Sequence, residues 1–293
     1  MLQEKGLVSI TTRSGWEGKH IYQILIERLS YLERVLAGYG FAFPVPRIRF
    51  HIEILRHLQR RPGIGSDEIL WSLGEATELA DIYCCLPTLP LKVMREKFGA
   101  VLNGPLDPQS ETSASNLARN TVFELHLAGY LNKNGIPAEL CHNPDIACVV
   151  GSRTLFVQCK RPFSRRKINY NMKLACKQLS RDLDLASGPQ ARGVVAISLS
   201  RAVNPGNMFM EVNTEADLTA AMAAEIKPLA EASVEALIRG PRIVGAVFHV
   251  STAAYVKDIN EYRTSQLLAV YPGDAASVSD RSMLRSAFLR VRS

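Results

Sequence analysis

Three residues near the middle of the chain, Asp145, Gln158 and Lys160, bring a carboxylate, an amide and an ammonium to a spacing that a hairpin would unite. The apolar runs Ile146–Val150 and 154–157 are separated by Gly151-Ser152. That pair is favoured at the centre of a two-residue type II′ turn, with Gly supplying the positive φ. If Val150 faces Arg153, paired residue numbers add to a constant, and Asp145 lies opposite Gln158. Side chains alternate along a strand, so Lys160 shares the face of Gln158. Directly opposed Cβ atoms lie about 4.5–5.5 Å apart, and the three groups therefore converge at one end of the hairpin. The other face carries Ile146, Cys148, Leu155 and Val157 and reads as core. A carboxylate and an amide offer oxygen donors to a divalent cation, and a nearby ammonium can orient or help deprotonate an attacking water. The chemistry predicted is metal-assisted hydrolysis.

The elements around the hairpin have to position these groups. Upstream, residues 115–133 predict an amphipathic helix with Leu117, Leu127, Ala128 and Leu131 on its apolar stripe. Glu124 falls on that stripe. A carboxylate aimed at a core is costly unless it is paired, bound to metal or reaching a cleft. Glu124 is therefore the candidate second acid, against the plainer reading of a glutamate at the edge of an apolar face. Downstream come a helix at 168–185, with Met172, Leu174, Ala175, Leu179 and Leu183 as its buried residues, and a buried strand at 194–200. A long helix at 214–238, strands at 243–251 and 266–272, and a basic closing helix follow. With a short strand at 138–142, this order predicts an α/β chain of the α+β type, a mixed sheet with helices on both faces.

The first 105 residues read as helices at 16–38, 48–60, from Ser66 onward, and at 91–102. The polar, Pro- and Ser-containing stretch 104–115 marks a boundary, giving a helical region 1–105 and an α/β domain 116–293. Two helices joined by a short turn invite a helix-turn-helix reading. The second, LWSLGEATELADIY, is acidic and has no basic cluster to meet DNA, so core packing or a homodimer surface is the better use for it.

The 293 residues, 47% hydrophobic and 22% charged, suffice for a large core. No apolar run approaches the ~18–20 residues that cross a bilayer. The N-terminal residues lack the apolar core of a secretion signal. The six cysteines form no CxxC pair and read as reduced thiols. A cytoplasmic protein with no membrane partner is expected. Net charge is +7, and its surplus falls after Ser115. From Arg153 to Arg181 there are nine basic residues and no acidic one. Because this run begins at the hairpin, it predicts a phosphate-binding surface rather than only a solvated face.

Pro144-Asp145, twelve residues, then Gln158-Cys159-Lys160, preceded by FELHLAGYL around Glu124 and followed by Arg161-Pro162, resembles the PD-(D/E)XK nuclease superfamily. The resemblance spans about residues 116–200. Gln158 departs from the usual acid and is similar to the variant of Mrr-like restriction enzymes. The resemblance implies a restriction-endonuclease-like core after an all-helical N-terminal region, and a Mg²⁺-dependent DNA endonuclease, with Mn²⁺ as a substitute ion. It implies Asp145, Gln158, Lys160 and Glu124 as catalytic residues. Asp145, Glu124, Gln158 and the carbonyl of Cys159 would be metal ligands. Nucleic acid, DNA before RNA, is the partner expected, held by Arg161, Arg165, Arg166, Lys167, Lys173 and Lys177. Lys177 and Gln178 could approach the site, whereas His126 and His142 read as satisfied or exposed. Two rival readings are a non-catalytic nucleic-acid-binding module on the same fold, and an interaction protein acting through its helical half.

Overall fold

The computed structural model describes residues 8–13, 21–60, 67–82, 91–106, 112, 117–186, 190–204, 210–237 and 241–289. It begins with strand β1 (Val8–Arg13) and helices α1 (Ile21–Gly38), α2 (Pro46–Arg60), α3 (Asp67–Ile82) and α4 (Leu91–Leu102). The N-terminal region is thus helical but not all-helical. β1, rich in β-branched residues, pairs antiparallel with a C-terminal strand. The long central helix α5 (Leu117–Lys133) follows, then β2 (Ala138–Leu140), β3 (Ile146–Val150) and β4 (Arg153–Lys160). After a 3-10 turn (Arg165–Lys167) come α6 (Ile168–Leu185), β5 (Arg192–Ser198), α7 (Ser200–Val203) and β6 (Glu211–Val212). The chain closes with α8 (Glu215–Leu237), β7 (Ile243–Val256), β8 (Glu261–Pro272) and α9 (Val278–Phe288).

The strands form one mixed sheet in the order β1-β8-β7-β5-β4-β3-β2, with β6 beside β7. Its centre, β4, β5 and β7, is parallel, joined by crossovers that carry α6 and α8. Antiparallel hairpins flank it on both sides. Leu155, Val157 and Cys159 of β4 join Val194 and Ala196 of β5 in a core that runs on through α5 into the apolar faces of α1 to α4. On the opposite face Val195, Ile197, Ala246 and Phe248 pack with Met172 and Leu179 of α6 and Leu218 and Ile226 of α8. The helix-sheet-helix layering follows from strands that are apolar on both faces.

α5 is not amphipathic in place. From Thr121 to Leu131 every residue is buried, because the sheet covers one side and α3 and α4 cover another. Leu117, read as part of the stripe, is 63% exposed at the helix start, and Leu174 on α6 is also exposed. Gly129 lets α3 approach: a Cβ there would lie 2.8 Å from the Asp81 carbonyl oxygen. A buried ionic cluster ties the same helices together. Glu75 of α3 accepts from Arg47 Nε at 2.5 Å and from Arg119 of α5 at 3.2 Å. Burial works to raise the Glu75 carboxyl, but Arg47, His51 and Arg119 hold it well below the usual carboxylate range. Among the described residues no helix is long and apolar enough to cross a membrane.

Candidate active site

The β3–β4 hairpin turns at Gly151-Ser152, with Val150 paired to Arg153 and Gly151 at φ 63°. That positive φ is what a side-chain-bearing residue resists, so the turn, and the register it sets, rests on glycine. The ladder runs from there to Ile146 opposite Val157. One step further, Asp145 meets Gln158, whose Nε2 donates to Asp145 Oδ2. The backbone N–H of Cys159 donates to the same oxygen at 2.7 Å. Asp145 and Gln158 are only 8% and 2% exposed. Burial raises the Asp145 carboxyl above its ordinary value, against the pull of Lys160, the Cys159 amide and Lys97.

Glu124 reaches the same place from α5. Its carboxyl is pushed up to about 7, by burial first and then by the charge of Asp145, while Lys97 and Lys160 pull it back. The charge of Asp145 therefore acts against ionisation of Glu124. Lys97 of α4 acts the other way: its Nζ donates to Glu124 Oε2 at 2.5 Å. Burial alone would pull the Lys97 ammonium down, but Glu124, helped by Asp145, holds it above the ordinary lysine value. Sequence reasoning missed Lys97, although the signal that singled out Glu124 was present. Lys97 lies three residues after Met94 and four before Val101, both fully buried, so it flanks the inward stripe of α4.

Oxygen donors suited to a hard divalent cation are present. Asp145 and Glu124 each offer a carboxylate, and Gln158 Oε1 is buried with no hydrogen-bond partner. Mg²⁺ is commonly held by one or two carboxylates and keeps several waters, so this donor set fits such an ion. Among the described residues no group of three or more His, Cys, Asp or Glu side chains could hold a metal. The site is carboxylate-poor because its third side-chain donor is an amide. The thiol of Cys159 lies in the core, leaving only its main chain to face the hairpin mouth.

Lys160 continues β4 on the face of Gln158. It is half-buried, and its charge acts on both Asp145 and Glu124. Arg161, next in sequence, is half-buried too, and its charge is felt by Glu78 of α3 and His249 of β7, inside the other layer. Arg165 is held by Glu225 of α8 and the Ala202 carbonyl, and Arg181 lies beside Asp182. Arg166, Lys167, Lys173 and Lys177 are exposed, and Lys167 lies over the exposed ring of Tyr170. The acid-free run thus meets acids from elsewhere in the fold, and these four residues form an exposed cationic strip along α6 and the turn before it. Gln178 has a buried Oε1 without a partner and makes no hydrogen bond to Asp145 or Gln158. His142 is exposed. His126 is buried against His249 with its Nδ1 unpartnered, so it is not exposed and is at most half satisfied.

In comparisons with known proteins, no family model, no curated protein and no solved structure matches this chain.

Proposed function

We propose that the protein is a metal-dependent phosphodiesterase that hydrolyses nucleic acid, DNA before RNA, by internal cleavage. The observation that carries this reading is the hairpin mouth. There a main-chain-anchored Asp145, an unpartnered Gln158 oxygen, a second carboxylate at Glu124 and the Lys160 ammonium share one buried-to-surface edge. A hairpin leading through a helix into a parallel strand is also the arrangement a restriction-endonuclease-like core would need.

Asp145, Glu124, Gln158 Oε1 and the Cys159 carbonyl would hold Mg²⁺ or Mn²⁺. When bound, the ion supplies charge neutralisation at the scissile phosphate and lowers the pKa of water. The remaining work falls to the chain. Lys160 orients the nucleophilic water and offsets charge developing on the phosphate. The Cys159 amide keeps Asp145 aimed while its other oxygen stays available. Arg166, Lys167, Lys173 and Lys177 hold the backbone beyond the scissile bond, a contribution that falls as salt rises. A role in restriction or defence against foreign DNA is an analogy from fold alone.

A second reading keeps the fold as a nucleic-acid-binding module without cleavage. It is favoured by the neutral Gln158 and by Lys97 already pairing Glu124. Cleavage of plasmid and linear DNA by the full-length protein in Mg²⁺, Mn²⁺ or chelator separates the two. The phosphodiesterase predicts metal-dependent cleavage that is lost in Lys160→Ala. A salt-dependent, metal-independent affinity with no cleavage selects the binding module.

A further inference from the structure

Lys97 belongs to a helix remote in sequence from the hairpin, yet its ammonium bonds Glu124 Oε2 at 2.5 Å, and the charge of Asp145 also favours it. Its side chain is 14% exposed, and that of Glu124 is 12% exposed. An ammonium and a divalent ion compete for the same carboxylate oxygens. We infer that Lys97 stands as a built-in cation where a two-metal phosphodiesterase would hold one of its ions, so that this site takes a single divalent ion. This rests on the metal-dependent reading above and names the site's cation complement.

The charges support it. A two-metal site places its ions about 3.5–4 Å apart and clamps both the attacking and the leaving oxygen. It needs carboxylates to match them, and here the position of a third acid is the neutral Gln158. Asp145 and Glu124 are already matched by Lys97 and Lys160. Two divalent ions would add four uncompensated positive charges. One adds two, which a phosphodiester anion and a hydroxide nucleophile offset. The Lys97–Glu124 pair also makes α4 a working part of the site, because removing the ammonium would leave Glu124 buried beside Asp145 with no direct partner.

The test counts ions rather than turnover. Full-length, metal-stripped protein is titrated with Mn²⁺ alone, free Mn²⁺ is followed by electron paramagnetic resonance, and circular dichroism checks the fold of each variant. Wild type is expected to bind one Mn²⁺ per chain, Lys97→Arg one, Lys97→Met two, and Asp145→Ala none. Two ions on the wild type, both lost in Asp145→Ala, would overturn the place given to Lys97 and leave the metal-dependent reading standing. A folded Lys97→Met that still binds one ion would overturn it as well. If the wild type binds none, or Asp145→Ala binds as the wild type does, the metal-dependent reading falls and this inference with it. Should Lys97→Met fail to fold, Lys97→Gln, which keeps a hydrogen-bond donor for Glu124 without the charge, is counted in its place: two ions are expected, and one would overturn the inference.

Discussion

The Cys159 N–H donates to Asp145 Oδ2 across 2.7 Å, so the carboxylate at the hairpin mouth is fixed by main chain rather than by a mobile side chain alone. Removing the acceptor takes it from two buried donors, the Cys159 N–H and Gln158 Nε2, which costs at least about 1–3 kcal/mol. Asp145→Ala is therefore expected to lower unfolding stability by that amount in urea titrations of metal-free protein. Asp145→Asn keeps an acceptor oxygen and is expected to lose less. Equal losses in the two variants would mean that the anchoring bond contributes nothing.

His249 gives the protein an acid-sensitive limb. Its ring is 1% exposed, both ring nitrogens lack partners, and Phe123 and His126 pack against it. Burial first, then the charges of His126 and Arg161, push its pKa well below the ordinary histidine value. The unfolded chain takes up a proton near the ordinary value and the folded chain refuses it. Stability from this group is complete above about pH 6.5 and falls by about 1.4 kcal/mol per unit below it. His249→Leu removes the two unpartnered nitrogens along with the titration. It is expected to be more stable than wild type by about 1–3 kcal/mol at about pH 5, with a smaller gain at about pH 7.5. Urea unfolding at both values reads this directly, and a variant less stable at the acid value would refute it.

Gly129 is needed for the approach of α3 to α5. A methyl group there would sit 2.8 Å from backbone oxygen, which cannot swing aside as a flexible side chain can. Gly129→Ala is expected to cost about 1–3 kcal/mol despite its better helix propensity. Thermal denaturation measures it. An unchanged or raised midpoint would show that the two helices have slack.

The basic residues divide into two groups with different signatures. Lys173 and Lys177 face outward, so Lys173→Ala/Lys177→Ala should weaken DNA binding. The slope of log K against log[salt] should flatten by about 0.9 for each phosphate no longer neutralised. Arg161 is half-buried, and its charge acts on Glu78 and His249. Arg161→Ala should change stability and leave that slope alone. Binding isotherms over a salt series check both, and a shallower slope in Arg161→Ala would put that residue on the nucleic-acid surface.

The hairpin was legible because its register is arithmetic: once Gly151-Ser152 is the turn, Asp145 opposite Gln158 follows. Glu124 was legible only as an oddity. Its burial comes from the sandwiching of α5, not from the apolar stripe, as exposed Leu117 at the helix start shows. Arg161 was grouped with the DNA-binding residues by its place in a charge run. It lies just past the end of β4 at Lys160, where its charge acts on Glu78 and His249. β7 continues past Ser251 to Val256, and β8 starts at Glu261 rather than Gln266. Those extensions, TAAYV and EYRTS, mix strand formers such as Tyr255, Val256 and Tyr262 with alanines and charged residues, so they lack the continuous apolar run that marks the buried parts of these strands. Lys97 carries a local sign in its place beside the inward stripe of α4, but its partner was out of reach. Nothing local in α4 says that it will pack on α5, and the pairing with Glu124 exists only in the tertiary fold.

Whether the hairpin mouth is catalytic is decided by DNA cleavage in Mg²⁺, with wild type and Asp145→Asn compared at equal concentration. The variant is chosen because its side chain can still accept from the Cys159 amide while its charge is gone. Metal-dependent nicking by wild type is expected, with a loss of at least about 10²-fold in the variant and its fold intact. Wild-type rates in Asp145→Asn, or cleavage that persists in chelator, would show that the hydrolytic site lies elsewhere or does not exist.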